Sequence, residues 1–167
     1  MPGIVIGQGL QPILGFNYGA RRYDRALRSF KIAAVAASIC TTIVFLLIFF
    51  IPEPFVRIFT SDRELIVQGS HAATYMSLGI WMIGFMMVGS LVFQSIGKAA
   101  QSFITSISRP ALFLIPLIFI LPHFWQLNGV WLAFPISDAL SSLLTLVLLI
   151  PQIRELRSHI NTSPPLN

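Results

Sequence analysis

The chain alternates long apolar runs with short polar breaks, and that spacing predicts helices that cross a membrane. Pro2 to Ala20 holds Gln8, Gln11 and Asn17 but no charge, and it ends at Arg21. Ile32 to Ile51 is the plainest span, with nothing more polar than Ser38, Thr41 and Thr42. Its length corresponds to about 30 Å of helix at 1.5 Å per residue. Pro52 and Pro54 stop it, and EPFVRIFTSDREL then mixes apolar and charged residues as an interfacial segment does. Ser61 followed by Glu64 matches a capping box, so a helix is expected to start near Asp62. No charge occurs from Leu65 to Gly97, and the membrane part is expected over 72–96.

Pro110 to Leu121 is too short to cross alone. In AAQSFITSISRP, however, the polar residues fall at helical spacing, which predicts one amphipathic span over 99–121, kinked near Pro110. LPHFWQLNG reads as a turn with Asn128-Gly129 as its strongest signal, and 130–150 is the last span. The expectation is an all-α polytopic membrane protein of about five spans, near 2–20, 32–51, 72–96, 99–121 and 130–150. These form one bundle over 1–151, followed by a frayed cytoplasmic tail over 152–167.

Composition supports this reading. Hydrophobic residues make up 55% and charged residues only 10%, against roughly a quarter charged in soluble domains, and the mean hydropathy is +0.79. The net charge of +5 does not point to nucleic acid, because the cations sit between apolar runs and act as orientation signals. Arg21, Arg22, Arg25, Arg28, Lys31, Lys98, Arg109, Arg154 and Arg157 fall on one side of a five-span arrangement, whereas Arg57 and Arg63 on the other are outnumbered by Glu53, Asp62 and Glu64. The arginine-rich side and the C-terminus are therefore expected to face the cytoplasm. The start at MPGIVIGQG has no signal-peptide pattern and no polar leader, which leads us to expect a preceding helix and loop. Cys40 is the one cysteine, so a disulfide framework or multi-cysteine metal site within the chain is excluded.

Asp138 is the one carboxylate inside an expected span, and an ionisable residue at a helix centre costs roughly 2.5 to 3.5 kcal/mol to insert. It either lines a watery cavity and couples to an ion or substrate, or has a structural partner. Counting from Ala99 and Ile150 as inner ends, Arg109 and Asp138 lie at depths of about 15 and about 18 Å. On consecutive antiparallel helices the two are expected to face each other, which favours the structural pairing.

Gly3 and Gly7, Gly15 and Gly19, and Ala33 and Ala37 are spaced four apart and suit close helix packing. Gln8, Gln11 and Asn17 suit either a transport pathway or interhelical hydrogen bonds. Pro12, Pro116 and Pro135 can kink their helices. Tyr75, Met76, Trp81, Met82, Phe85, Met86 and Met87 give one helix a soft, polarizable surface that fits either a pocket for aromatic cations or lipid packing. His71, His123 and His159 form no cluster with Cys or carboxylates at metal or catalytic spacing, so neither an enzyme nor a cofactor or metal site is expected.

The order of these pieces resembles the C-terminal part of the multidrug and toxic compound extrusion (MATE) transporters, in their MepA-like branch of multidrug export proteins. QGLQPILGFNYGARRYDRA looks like the end of the second helix of that family's C-terminal lobe, and FTSDREL is similar to its outer loop. FQSIGKAAQSFITSISRP followed by LNGVWLAFPISDAL resembles its last two helices. The resemblance implies two six-helix lobes, of which this chain supplies the last five helices, leaving the N-terminal lobe and one helix outside this sequence. It implies a cell (inner) membrane location, drug or dye substrates that are often cationic, exchange for H+ or Na+, and a part in antibiotic resistance. Some family members carry a membrane carboxylate in the helix matching 72–96, where this chain has none. The coupling acid is then Asp138 or lies outside this sequence. A lipid-linked sugar flippase of the same superfamily would want several deep cations, and only Arg109 lies deep. A non-transporting membrane subunit or a gene remnant is the further alternative.

Overall fold

The computed structural model describes residues 2–162, which are almost wholly helical; among them no β-strand occurs. Helix α1 (Pro2–Gly19) ends in a turn whose amides reach back to satisfy the last carbonyls. Arg21 N–H donates to the Tyr18 carbonyl at 3.0 Å and Arg22 N–H to that of Asn17 at 2.9 Å. This closure needs a left-handed residue, and Arg21 fills the place at φ 58. Helix α2 (Tyr23–Phe50) begins well before the apolar run because Asp24, in its first turn, complements the positive end of the helix. Pro52, at the first turn of the short α3 (Pro52–Arg57), marks its end.

Helix α4 (Arg63–Ser77) starts where the polar pattern placed it, but the cap differs from the expected one. Asp62, not Ser61, holds the N-cap, its carboxylate accepting from the amides of Glu64 and Leu65. The expected span over 72–96 is broken. Helix α4 stops at Ser77 and α5 (Ile80–Ser95) leaves at 47° to it. The elbow is tightened by i→i−3 bonds from Leu78 N–H to the Tyr75 carbonyl and from Met82 N–H to that of Gly79. Helix α5 ends in the same closure as α1, with Gly97 at φ 78 in the left-handed place.

The kink near Pro110 takes the form of a wide π-helical turn over Ser108–Leu114, between α6 (Ala99–Ile107) and α7 (Ile115–Thr162). Pro110 has no N–H, so the regular ladder is interrupted and the wider turn absorbs the mismatch. Helix α7 itself reverses at Trp125 and Gln126, the latter at φ 47 and ψ −131, and its second arm folds back beside the π turn. The turn expected at Asn128-Gly129 therefore comes earlier. Gly129 is helical and buried, and a Cβ there would lie 2.6 Å from the Leu121 carbonyl carbon. Its use is close approach between the two arms. Tyr23–Phe50 and Ala99–Ile160 are long and apolar enough to cross a membrane, and the bent pair α4–α5 makes a third if taken as one span. At 62 residues Ala99–Ile160 exceeds any single span, and the break at Trp125–Gln126 divides it.

The core lies where α1, α2, α5 and the last part of α7 meet, around Leu14, Phe30, Val92, Phe93 and Leu149. Small residues set the spacing. A Cβ on Gly84 would lie 2.6 Å from the Ala37 carbonyl oxygen of α2, one on Gly89 2.9 Å from Leu149 Cδ1 of α7, and one on Gly15 3.3 Å from the Ser95 carbonyl oxygen. Gly7 meets Leu91, Ala33 and Ala37 are buried, Gly19 faces open space, and the surroundings of Gly3 lie outside the described residues. The segment expected to fray instead continues as helix to Thr162, with Gln152 and Leu156 buried. Glu155 ties it to the α5–α6 turn, accepting from Lys98 Nζ at 3.1 Å and Gln152 Nε2 at 2.8 Å.

Gly84→Val forces a branched side chain onto the α2 backbone and is expected to cost about 2 kcal/mol, whereas Gly19→Ala costs none of this; denaturant unfolding in mixed micelles measures both. The Lys98 hydrogen bond holds the Glu155 carboxyl below its ordinary range. Its contribution to stability is thus present above the ordinary carboxylate value and is lost as pH falls through the lowered folded value. Lys98→Met is expected to move Glu155 back toward that ordinary value, read from its side-chain carboxyl carbon by NMR titration.

Candidate functional site

The second arm of α7 presents Ser137, Ser141 and Thr145 at intervals of four, all fully buried, with Asp138 beside them at 1% exposure. The hydroxyls of Ser137 and Thr145 donate to the carbonyls of Phe134 and Ser141 at 2.7 and 2.8 Å, while Ser141 Oγ has no partner. Asp138 turns instead to the neighbouring helix. Arg109 Nε, in the π turn, donates to Asp138 Oδ1 in a short ion pair. The wide turn and the charge occur together because a deep arginine needs both its partner and room for a bulky guanidinium, and π turns concentrate at such positions.

Asp138 also rests against the elbow of α4–α5. A Cβ on Gly79 would lie 2.7 Å from the Asp138 Cβ and 2.9 Å from its Cγ. Only a residue without a side chain lets the carboxylate sit there. Hydroxyls from both flanking helices hold the first turn of α5 beyond the elbow. Thr41 Oγ1 of α2 donates to the Trp81 carbonyl at 3.2 Å, and Ser142 Oγ of α7 to that of Met82 at 3.4 Å. The elbow, the π turn and the polar face of α7 thus meet at one carboxylate.

A groove of about 420 Å³ adjoins this junction, lined by Trp81, Met82 and Phe85 of α5, Ser38 of α2, and Ser142 and Leu146 of α7. It is mostly apolar, with aromatic and sulfur atoms suited to a flat organic cation. A larger cavity of about 1300 Å³ lies away from the pair, at the other end of α2, where Glu53 and Arg57 neutralise each other at 2.6 Å beside Arg63 and His71. It carries no buried charge, so the Asp138 junction is the stronger candidate for chemistry. No three His, Cys, Asp or Glu side chains converge as metal ligands among the described residues.

The structure brings Arg109 and Asp138 together but does not bring the α1 amides to them. Asn17 Nδ2 bonds its own helix at the Ile13 carbonyl, 2.7 Å away, Gln8 is exposed and Gln11 half-buried. Helix α1 packs on α2 and α5. Sequence reasoning missed the hydroxyl stripe of α7, although its spacing of four (Ser137, Ser141, Thr145) was there to be read. Nor did it connect Gly79 with the carboxylate that requires it.

Known proteins share this architecture. The MatE family profile matches residues 1–120. The chain is 25% identical, over 87% of its length, to the multidrug export protein MepA of Staphylococcus aureus strains MSSA476 and MW2, and covers 32% of each. It spans about a third of the length of these curated relatives. Among solved structures, the MATE multidrug transporter DinF-BH, captured in a ligand complex, superposes with a TM-score of 0.84 at 44% identity, over 90% of this chain and 34% of that one. An inward-facing MATE family transporter of the MOP superfamily superposes at 0.86 over 98% of this chain and 39% of its own; at 22% identity that likeness speaks for the fold alone.

The pair's burial is unequal, since Asp138 is at 1% and the Arg109 side chain at 34%. Arg109→Met strands the fully buried partner and is expected to cost about 3 to 5 kcal/mol. Asp138→Asn costs less, because Arg109 can reach toward the membrane surface. The double change to Met and Leu costs less than the sum of the two single changes. A double-mutant cycle by unfolding in micelles measures this coupling.

Proposed function

Because the chain belongs to the MatE family of multidrug transporters, a family of multi-pass membrane proteins that move compounds rather than convert them, we propose that it forms part of the pathway of a multidrug antiporter. The observation that carries this reading is the buried Asp138, held by Arg109 and seated in the Gly79 elbow, next to a groove of aromatic and methionine side chains. The groove takes flat, cationic, drug-like compounds. Asp138 is the acid through which H+ or Na+ exchange acts on the elbow. Neutralising the carboxylate frees Arg109 and removes the charge that holds α7 to the α4–α5 bend, so the two helices can shift relative to each other.

The pathway needs a second lobe, on the same polypeptide or another, and the C-terminal helix faces the cytoplasm. A role in moving lipid-linked sugars has less support. It would need free cations at depth, and Arg109 is engaged by Asp138.

The test is a chimera in which this chain replaces the matching third of a DinF-BH-like transporter, expressed in cells loaded with ethidium, a flat fluorescent cation. Efflux is expected from the chimera, falling to background with Asp138→Asn at equal protein level. Undiminished efflux in that variant would leave the carboxylate a structural role only. A well-inserted chimera with no efflux would sink the transport reading.

A further inference from the structure

One end of the bundle carries a concentration of charge that transport chemistry does not use. Arg21, Arg22, Arg25, Arg28 and Lys31, on the α1–α2 turn and the first turns of α2, are all exposed, as are Arg154 and Arg157 near the end of α7. The two groups are far apart in sequence but close in space. The Tyr23 ring stacks on His159 with centroids 5.0 Å apart, and Ile153 and Ile160 pack on the core that includes Ala26, Leu27 and Phe30. Among the described residues none of these seven cations is in an ion pair, since the three pairs present involve Arg57, Lys98 and Arg109. Asp24 is the single carboxylate within the α1–α2 cluster, and Glu155 is engaged by Lys98. Arg21 moreover holds a left-handed backbone position that glycine fills at lower cost.

What distinguishes this cluster from a merely solvated basic face is its continuation along α2. Arg25, Arg28, Ile32, Val35, Ile39 and Ile43 follow at steps of three and four, so they share one helix face, and every one is exposed. Beside the lower part of that face runs a groove of about 450 Å³, lined by Val35, Ser38, Ile39, Thr42 and Ile43 of α2 and Phe85 of α5. From Arg28 to Ile39 the helix rises about 16 Å, which is half the roughly 30 Å hydrocarbon core and hence about one acyl chain. Tyr18 and Tyr23, at the helix ends flanking the turn with rings 5.6 Å apart, mark the interfacial level at which the cations sit. We propose that this face is a binding site for an anionic phospholipid, its phosphate held by Arg25 and Arg28 with neighbouring cations, and one acyl chain passing Ile32 and entering the groove along Val35 and Ile39. A soluble anion would use the cations but not the groove, and a zwitterionic lipid the groove but not the net positive charge.

The test is native mass spectrometry of the 167-residue chain released from micelles containing phosphatidylglycerol or phosphatidylcholine with identical acyl chains. Phosphatidylglycerol is expected to bind preferentially, with the preference shrinking at high salt and falling about fivefold for each arginine removed in Arg25→Gln/Arg28→Gln. Arg25→Lys/Arg28→Lys keeps the preference, and so does Arg63→Gln at the opposite end. Ile39→Trp, which fills the groove, lowers occupancy by both lipids while leaving their ratio unchanged. An unchanged ratio in the double glutamine variant, with helicity intact by circular dichroism, would overturn the site. So would binding of inorganic phosphate that displaces the lipid, which would point to a soluble anion.

Discussion

Placing one full charge deep in an apolar bundle is the constraint on which the rest of this structure depends. Asp138 cannot be left alone at that depth, because the desolvation of a carboxylate exceeds anything its packing returns. Arg109 supplies the counter-charge from the wide turn over Ser108–Leu114, where Pro110 interrupts the regular helix. The carboxylate also needs space on its far side, and Gly79 supplies it where α4 gives way to α5. Two irregular stretches in neighbouring helices thus meet at one carboxylate. In a membrane, irregular backbone is tolerated only where protein or a water-lined cavity surrounds it, and here the pair and the flanking hydroxyls of Thr41 and Ser142 surround it.

The remaining packing follows from the absence of a hydrophobic effect between helices in lipid. Large side chains such as Phe16, Ile32, Phe50 and Phe119 are exposed, since acyl chains solvate them as well as protein does. The helices instead approach through small residues. Gly84 lies on the Ala37 carbonyl, Gly89 between Thr145 and Leu149, and Gly7 under Leu91. Helix α5 carries two of these glycines and lays Leu91 on the third, which makes it the strut against which α1, α2 and α7 are set.

The reading of the sequence succeeded where one residue type had a single physical use. A lone intramembrane carboxylate and a lone deep arginine at matched depths leave few arrangements, and the structure contains that ion pair. The apolar runs likewise fall mainly within helices, although the one over 72–96 is broken at the elbow. The reading fell short where several local signals competed. Asn128-Gly129 is a strong turn dipeptide, yet the reversal comes at Trp125–Gln126, because Gly129 is needed for close approach to Leu121 and Pro122. Ser61 and Asp62 are both good caps, and only the geometry chooses Asp62. The elbow was invisible for a related reason. Leu65 to Gly97 contains no proline or charge to announce a break, and the glycine that permits it is one of several in that stretch.

Under the proposed antiport, these features give the Gly79–Asp138–Arg109 junction two arrangements, of which the structure holds the paired one. With Asp138 charged and paired, the carboxylate fills the notch at Gly79 and holds α7 against the bend. With the charge neutralised, the attraction is gone while the space that Gly79 leaves open remains. Ser141, one turn on and without a hydrogen-bond partner, offers a hydroxyl to whatever then enters: a rotated carboxyl, a water or the coupling ion. The groove bounded by Trp81, Met82 and Phe85 shares the first turn of α5 with this notch, which ties the two sites to one helix end. Under the proposed antiport, an ion acting on one carboxylate changes the space open to a drug without either ligand touching the other.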